Sequence, residues 1–222
     1  PLTNNLNELK ELEIIKKENN IDICVIHNHR FFESYKTARK IIKKLGKIVG
    51  IKRSMAFNYD SVRMMEPDHW SHLIPGGRLF EANPHNLYLI YSLIGDFKIE
   101  NAFGHKSGIW KYGGCDSIWA SGYTKEGAFI NIDTAMVYEN DKFLDLVKTE
   151  VIGTKGMITI NNNELWFGKN HQNMKKYNAT SLFGRFSKKF KINKTNIKSM
   201  GSGHYQLYQE IINEFKKSGS IE

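Results

Sequence analysis

The stretch PGGRLFEANPHNLYLIYSLIGD, from Pro75 to Asp96, places a carboxylate, Glu81, four residues before an imidazole, His85. That pairing suits general acid–base chemistry near neutral pH, where a neutral imidazole held in orientation exchanges a proton with a reacting hydroxyl. Pro84 lies between the two and marks a helix start, because proline fits a first turn and its ring pushes the preceding residue out of the helical region. The simplest register makes Asn83 the N-cap, Pro84 the first helical residue and His85 the second. Glu81 then lies just outside the helix. If the helix starts at Glu81 instead, Pro84 still falls in its first turn. Either register brings Glu81 and His85 close together at the positive end of a helix dipole, which favours an anion and keeps an imidazole neutral. A plainer reading stays open, in which His85 only caps and packs.

The other histidines make weaker candidates. His27 and His29 could share a strand face, and His69 and His72 flank Trp70. No third ligand stands at metal-binding spacing, so no metal is expected. GSGHYQ at Gly201 lacks the third glycine and the flanking strands of a phosphate loop.

These residues need elements to hold them. LNELKELEIIKKENN carries Leu6, Leu9, Leu12 and Ile15 at helical spacing, with Thr3 or Asn5 as N-cap. IDICVIHN reads as a short buried strand. FFESYKTARKIIKKLG predicts a second amphipathic helix, with Phe32, Tyr35, Ile41, Ile42 and Leu45 inward and Gly46 just past its end. KIVGIKRSMAF opens a new sheet. The long polar loop from Asn58 to Gly77 contains Trp70, and its length suggests a working loop. In the helix after Pro84, Leu87, Ile90, Tyr91 and Ile94 recur at i, i+3, i+4 and i+7, and Gly95 ends it. Strands then dominate: FKIENAFGHKS, DSIWASGYTK, AFINIDTAMVY, FLDLVKTEVIGT and GMITI, separated by turns such as TKEGA and GTKG. A last helix is predicted over HYQLYQEIINEFKKSG, with Leu207, Ile211 and Phe215 inward.

The 222 residues suffice for one large domain or one and a half average ones, and 41% hydrophobic content can fill such a core. No apolar run reaches the ~18 residues of a membrane span, and the first residues have neither the basic nor the apolar region of a signal peptide. Cys24 and Cys115 lie far apart, which suits single buried thiols in a reducing cytosol. The net charge of +9 is local, since Leu165 to Gln209 holds nine Lys and Arg residues and no Asp or Glu. Such a stripe can attract nucleic acid or form a long solvated insertion.

Five segments, in order, resemble the Gfo/Idh/MocA oxidoreductase family. Pro1 and Leu2 resemble the end of its Glu-Lys-Pro-Leu motif. HNHRFFESY resembles its Asn-Arg-Arg-Phe segment through Asn28, Arg30, Phe31 and Tyr35. DHWSHLIPGGRLFEANPHNLYLIYSLIGD resembles its Trp, loop, Gly-Gly and Asp-x-x-x-His helix, VIGTKGMITI its Gly-Thr-x-Gly turn, and the final helix the one near its C-terminus. The resemblance implies an α+β fold. An open, mostly antiparallel sheet is flanked by helices on one face, and the last helix and strand of a Rossmann domain precede it. Residues 1–28 would be the remnant of that domain and 29–222 the substrate-binding and oligomerisation domain.

It further implies a cytoplasmic NAD- or NADP-dependent dehydrogenase that transfers a hydride to or from a carbinol carbon of a sugar-like or cyclitol-like substrate. His85 would be the proton-transfer group, with Glu81 standing where the family has Asp. Asn28 and Arg30 would approach the nicotinamide, and Trp70, Gly76 and Gly77 the substrate. The sheet face would join subunits into a homodimer or homotetramer. Without the phosphate loop, the chain by itself is expected to bind cofactor weakly and to be inactive. Two alternatives remain: a non-catalytic dimerisation scaffold of the same fold, and a nucleic-acid-binding module that uses the basic stripe.

Overall fold

A computed structural model of the chain describes residues 2–3, 5–58, 68–108, 112, 114–137, 146–161, 164–177, 208, 211–213 and 216; at 57, 58, 137, 146 and 171 it describes the backbone alone. Contacts divide the chain into two units, one of residues 1–32 with 191–222, the other of residues 33–190.

The first unit holds helix α1 (Leu6–Asn19). Asn5 caps it, accepting from the backbone N–H groups of Asn7 and Glu8 at 3.0 Å each. None of its residues is buried, so the predicted inward row Leu6, Leu9, Leu12 and Ile15 stays exposed or half-buried. The predicted strand over residues 21–28 does not form. Residues 21–27 pair with no strand among the described residues, and Asn28–Phe31 make a 3-10 turn. A strand is held by a neighbour that takes its N–H and C=O groups, and this one has none there. The predicted last helix lies mostly outside the described residues; Tyr208, residues 211–213 and Lys216 are helical.

The second unit is built on one sheet. Helix α2 (Glu33–Ile41) turns its buried Tyr35, Ala38 and Ile41 inward and continues into a 3-10 turn, Ile42–Leu45. The strands are β1 (Ile48–Asn58), β2 (Phe97–His105), β3 (Ser117–Thr124), β4 (Phe129–Val137), β5 (Leu146–Gly153), β6 (Gly156–Asn161), β7 (Glu164–Gly168) and β8 (Lys175–Lys176). Among the described residues they lie in the order β2-β3-β4-β1-β5-β6-β7-β8. Only β1 and β4 run parallel; every other neighbour is antiparallel. A short turn joins the antiparallel neighbours β5 and β6, while β1 reaches its parallel neighbour β4 only after a helical stretch and the strands β2 and β3. The helical stretch holds α3 (Trp70–Leu73), α4 (Gly77–Ala82) and α5 (Pro84–Ile94).

Burial alternates along the strands. Ile51, Arg53 and Met55 of β1, Ile130, Ile132 and Thr134 of β4, Thr149 and Val151 of β5, and Ile158 and Ile160 of β6 are buried on the face that carries the helices. Phe103, Trp119, Tyr123 and Phe129 point to the other face and are exposed by 37–64%. The fold is thus the expected mostly antiparallel α+β sheet with helices on one face.

Candidate functional site

Helix α5 takes the predicted register at its start, with Pro84 first and His85 second. Its inward face differs from the prediction. The buried residues are Asn86, Leu89, Ile90 and Leu93, while Leu87 and Tyr91 are 39% and 58% exposed. The stripe begins with a polar residue because a buried cation beneath it requires an acceptor. Arg53, on the central strand, is 1% exposed. Its Nε donates to Asn86 Oδ1 at 2.6 Å, and its Nη1 donates to Tyr35 Oη at 2.7 Å and to Thr149 Oγ1 at 2.6 Å. Tyr35 Oη and Thr149 Oγ1 are themselves 2.8 Å apart. Burying a guanidinium is costly unless its donors are satisfied, and here neutral oxygens from three elements accept from three of its five N–H groups.

The network runs on to the helix start. Asn86 Nδ2 donates to Thr134 Oγ1 at 2.9 Å and to Asn83 Oδ1 at 3.1 Å, and Thr134 Oγ1 donates to Asn83 Oδ1 at 3.1 Å. Asn83 therefore sits at the N-cap position without capping through its side chain, and its backbone is helical. Its side chain joins the sheet instead, and α4 runs almost directly into α5. Glu81, expected either just outside the helix that holds His85 or at its start, lies within the separate helix α4.

His85 is half-buried, and its Nδ1 lies 2.7 Å from the hydroxyl of Tyr88, one turn along α5. The two rings meet edge to face at 5.4 Å. The Glu81 carboxylate pairs with Arg78 Nη1 at 2.6 Å. Glu81 and His85 thus flank the α4–α5 junction, each held by a partner the sequence reading did not name. For Tyr88 the i, i+3 spacing from His85 was the available signal; for Arg78 it was the same spacing to Glu81.

Trp70 opens α3 and is 53% exposed. Gly76 and Gly77 lead into α4 with φ of 79° and 62°, a backbone that side chains other than glycine's rarely adopt. The β2–β3 loop supports this turn: a Cβ on Gly114 would stand 3.0 Å from the Gly76 carbonyl oxygen, and Tyr112 stacks on His72 with ring centroids 3.9 Å apart. Neither Tyr112 nor Gly114 stands out in the sequence pattern. Trp70, Gly76, Gly77, Glu81 and His85 thus fall on one run of short helices. Asn28 and Arg30 belong to the other unit. Asn28 is buried, and Arg30 lies over the Phe31 ring at 5.5 Å. Burial, then the adjacent Arg30 guanidinium, lower the pKa of His27 beside them.

Chemically, α5 presents a hydrogen-bonded imidazole near the positive end of a helix, with the ion-paired Glu81 carboxylate on α4 across the Asn83 junction, and an imidazole so held can exchange a proton with a hydroxyl. No three His, Cys, Asp or Glu side chains gather to hold a metal among the described residues. Cys24 and Cys115 are free thiols, but neither is buried as expected: Cys24 is exposed and Cys115 half-buried. No described helix is long and apolar enough to cross a membrane.

No protein-family model matches this sequence, and no curated protein is similar to it by sequence. Solved structures do match. An inositol dehydrogenase homologue from Azotobacter vinelandii, complexed with NADH and myo-inositol, is 22% identical with a TM-score of 0.67, over 80% of this chain and 48% of its own. An NAD-binding oxidoreductase from Klebsiella pneumoniae is 18% identical with a TM-score of 0.66, over 80% of this chain and 52% of its own. A levoglucosan dehydrogenase complexed with NADH and levoglucosan is 17% identical with a TM-score of 0.60, over 71% of this chain and 47% of its own. The chain spans about half the length of these relatives. Across that half it has the fold of the Gfo/Idh/MocA-type oxidoreductases.

Proposed function

We propose that this chain is the substrate-side part of a cytoplasmic NAD(P)-dependent oxidoreductase, which moves a hydride between the nicotinamide and a carbinol or carbonyl carbon of a sugar-like or cyclitol-like substrate. The observation that carries the reading is His85, held by a hydrogen bond at the start of α5 in a fold shared with dehydrogenases of such compounds. Residues 1–28 then belong to a nucleotide-binding domain and 29–222 to the substrate domain. No Gly-x-Gly-x-x-Gly run occurs in the chain, so residues other than these must cradle the dinucleotide's phosphates. Asn28 and Arg30 offer an amide and a guanidinium suited to the nicotinamide end. The nicotinamide, when bound, supplies the hydride acceptor or donor. His85 takes or returns the hydroxyl proton. Glu81, with its charge balanced by Arg78, hydrogen-bonds a substrate hydroxyl, and Trp70 with the Gly76–Gly77 turn forms the wall a ring-shaped polyol would lie against. The exposed sheet face joins copies into a homodimer or homotetramer.

The test is hydride transfer by the natural full-length protein, followed through the absorbance of reduced nicotinamide against a panel of cyclitols and sugars. His85→Ala should lower kcat by roughly 10²- to 10⁴-fold, the usual share of general acid–base catalysis. Undiminished turnover would remove His85 from the reaction. One observation favours a second reading, a non-catalytic dimerisation scaffold: the carboxylate expected to serve His85 is bound to Arg78 instead. Absence of turnover with every polyol, together with a stable oligomer, would decide for the scaffold.

A further inference from the structure

We propose that Tyr88 is the positioning residue for His85, filling the role that the sequence pattern suggests for Glu81; this rests on the reading of His85 as the proton-transfer group. Two observations on α5 and α4 carry it. The imidazole Nδ1 sits 2.7 Å from the Tyr88 hydroxyl, within strong hydrogen-bond range. The Glu81 carboxylate lies 2.6 Å from Arg78, on the side of α4 that its i−3 neighbour occupies.

A ring anchored through Nδ1 exchanges its proton through Nε2. To accept a proton there, the neutral ring must carry its own on Nδ1, and a hydroxyl oxygen can accept that Nδ1–H. The contact fixes the plane of the ring whichever partner donates; in the proposed arrangement Tyr88 Oη accepts the Nδ1–H, which holds the base-competent tautomer, and the ¹⁵N signals of the ring distinguish it from the reverse direction. During oxidation the carbinol C–H electron pair leaves as hydride for the nicotinamide, and the hydroxyl proton passes to Nε2. The carbon is oxidised by two electrons, the nicotinamide is reduced, and the ring becomes an imidazolium whose Nδ1–H still points at Tyr88. The reverse reaction uses the same bond, so neither direction requires the ring to turn. A phenolic hydroxyl does this without placing a second negative charge beside the ring. The Arg53–Asn86–Asn83 network steadies the backbone from which both residues project, because Asn86 and Asn83 flank His85 in sequence.

The experiment uses the natural full-length protein with ¹⁵N-labelled histidine rings, the His85 signals being assigned by their loss in His85→Gln. Long-range ¹⁵N–¹H correlations on the wild type should show His85 neutral at Nε2 and protonated at Nδ1. A wild-type ring protonated at Nε2 overturns the proposal without any variant having to fold. In Tyr88→Phe the ring should drift towards the mixture of tautomers found in free imidazole, and kcat should fall roughly 10- to 100-fold with KM changed by less than about threefold, since orientation and not binding is lost. An unchanged tautomer in a folded Tyr88→Phe protein overturns the proposal. The two readings fail separately. If His85→Gln abolishes turnover while Tyr88→Phe leaves ring and rate alone, the positioning role is wrong and the catalytic one stands. If Tyr88→Phe shifts the ring but His85→Gln turns over normally, the positioning geometry stands and the catalytic reading is wrong.

Discussion

The two faces of the sheet break the usual rule of burial in opposite directions. Beneath the helices, the central strand buries a cation: Arg53 is held by Asn86, Tyr35 and Thr149, and no carboxylate pairs with it among the described residues. On the far face, Phe103, Trp119 and Tyr123 stand exposed by 64%, 45% and 49% across β2 and β3, and the first two line a shallow cavity of about 360 Å³ together with His105 and Asp133. A buried network specifies geometry, because each donor accepts only one arrangement of its partners. An exposed aromatic row specifies little on its own and gains meaning only when covered. The inner departure from the rule fixes where His85 stands. The outer one, in our reading, is where a second copy docks.

Breaking the inner side should cost the most. Arg53→Ala opens a cavity on the central strand and orphans Asn86 Oδ1, while Tyr35 and Thr149 keep each other. We expect a loss of about 3–5 kcal/mol, read from the urea midpoint of the natural protein, because a buried acceptor without its donor and an unfilled space both destabilise. A loss below about 1 kcal/mol would mean that the network merely occupies the interior and does not hold α5.

The next effect tests how the outer row is set. Strand β2 has an irregularity between Ile99 and Asn101, which keeps Phe103 opposite Trp119 and Lys98 opposite Tyr123. Moving the register by one residue would turn Phe103 to the other face. Gly122 lies at that point: a Cβ there would stand within 2 Å of the Lys98 carbonyl oxygen (1.9 Å), which belongs to the backbone and cannot swing aside. Gly122→Ala should therefore cost about 1–3 kcal/mol, as overpacking does, and should alter the fluorescence of Trp119. Wild-type stability with unchanged fluorescence would show that the bulge tolerates a side chain.

The same contrast explains what the sequence disclosed. Local signals were legible: Pro84 at the first position of α5, Gly95 at its end, the GTKG turn between β5 and β6, and the strand in DSIWASGYTK all appear where predicted. Interactions across distant segments were not. The α5 face was predicted around Leu87 and Tyr91 because apolar periodicity treats Asn86 as outward; Arg53, 33 residues earlier, and Thr134, 48 residues later, hold it inward. KIVGIKRSMAF shows Lys52 and Arg53 as adjacent charges and gives no hint that one is sealed in the interior. The site divides likewise. Glu81 and His85 could be read from their spacing, whereas their partners Arg78 and Tyr88 depend on how two short helices meet at Asn83. Residues 21–28 looked like a strand by composition, yet a strand also requires a neighbour.

The smallest effect on folding should come from the outer row, and its interest lies elsewhere. Trp119→Thr keeps a residue suited to strands and removes the large ring from a position already 45% exposed. Trp119 is the partner of Phe103 across the β2–β3 pair, so the loss should stay within about 0.2–1 kcal/mol, the range of one cross-strand contact. If that ring is covered by a second copy, the same substitution takes an aromatic anchor from the centre of an interface, where one such residue commonly contributes 2 kcal/mol or more to binding. A twofold interface uses each ring twice, so the defect is doubled in the dimer. Sedimentation of the full-length protein should then show dissociation at concentrations where the wild type stays associated, with the urea midpoint of the dilute species nearly unmoved. An oligomer that survives Trp119→Thr and also Phe103→Asp would place the subunit contact elsewhere and leave the aromatic row to some other partner.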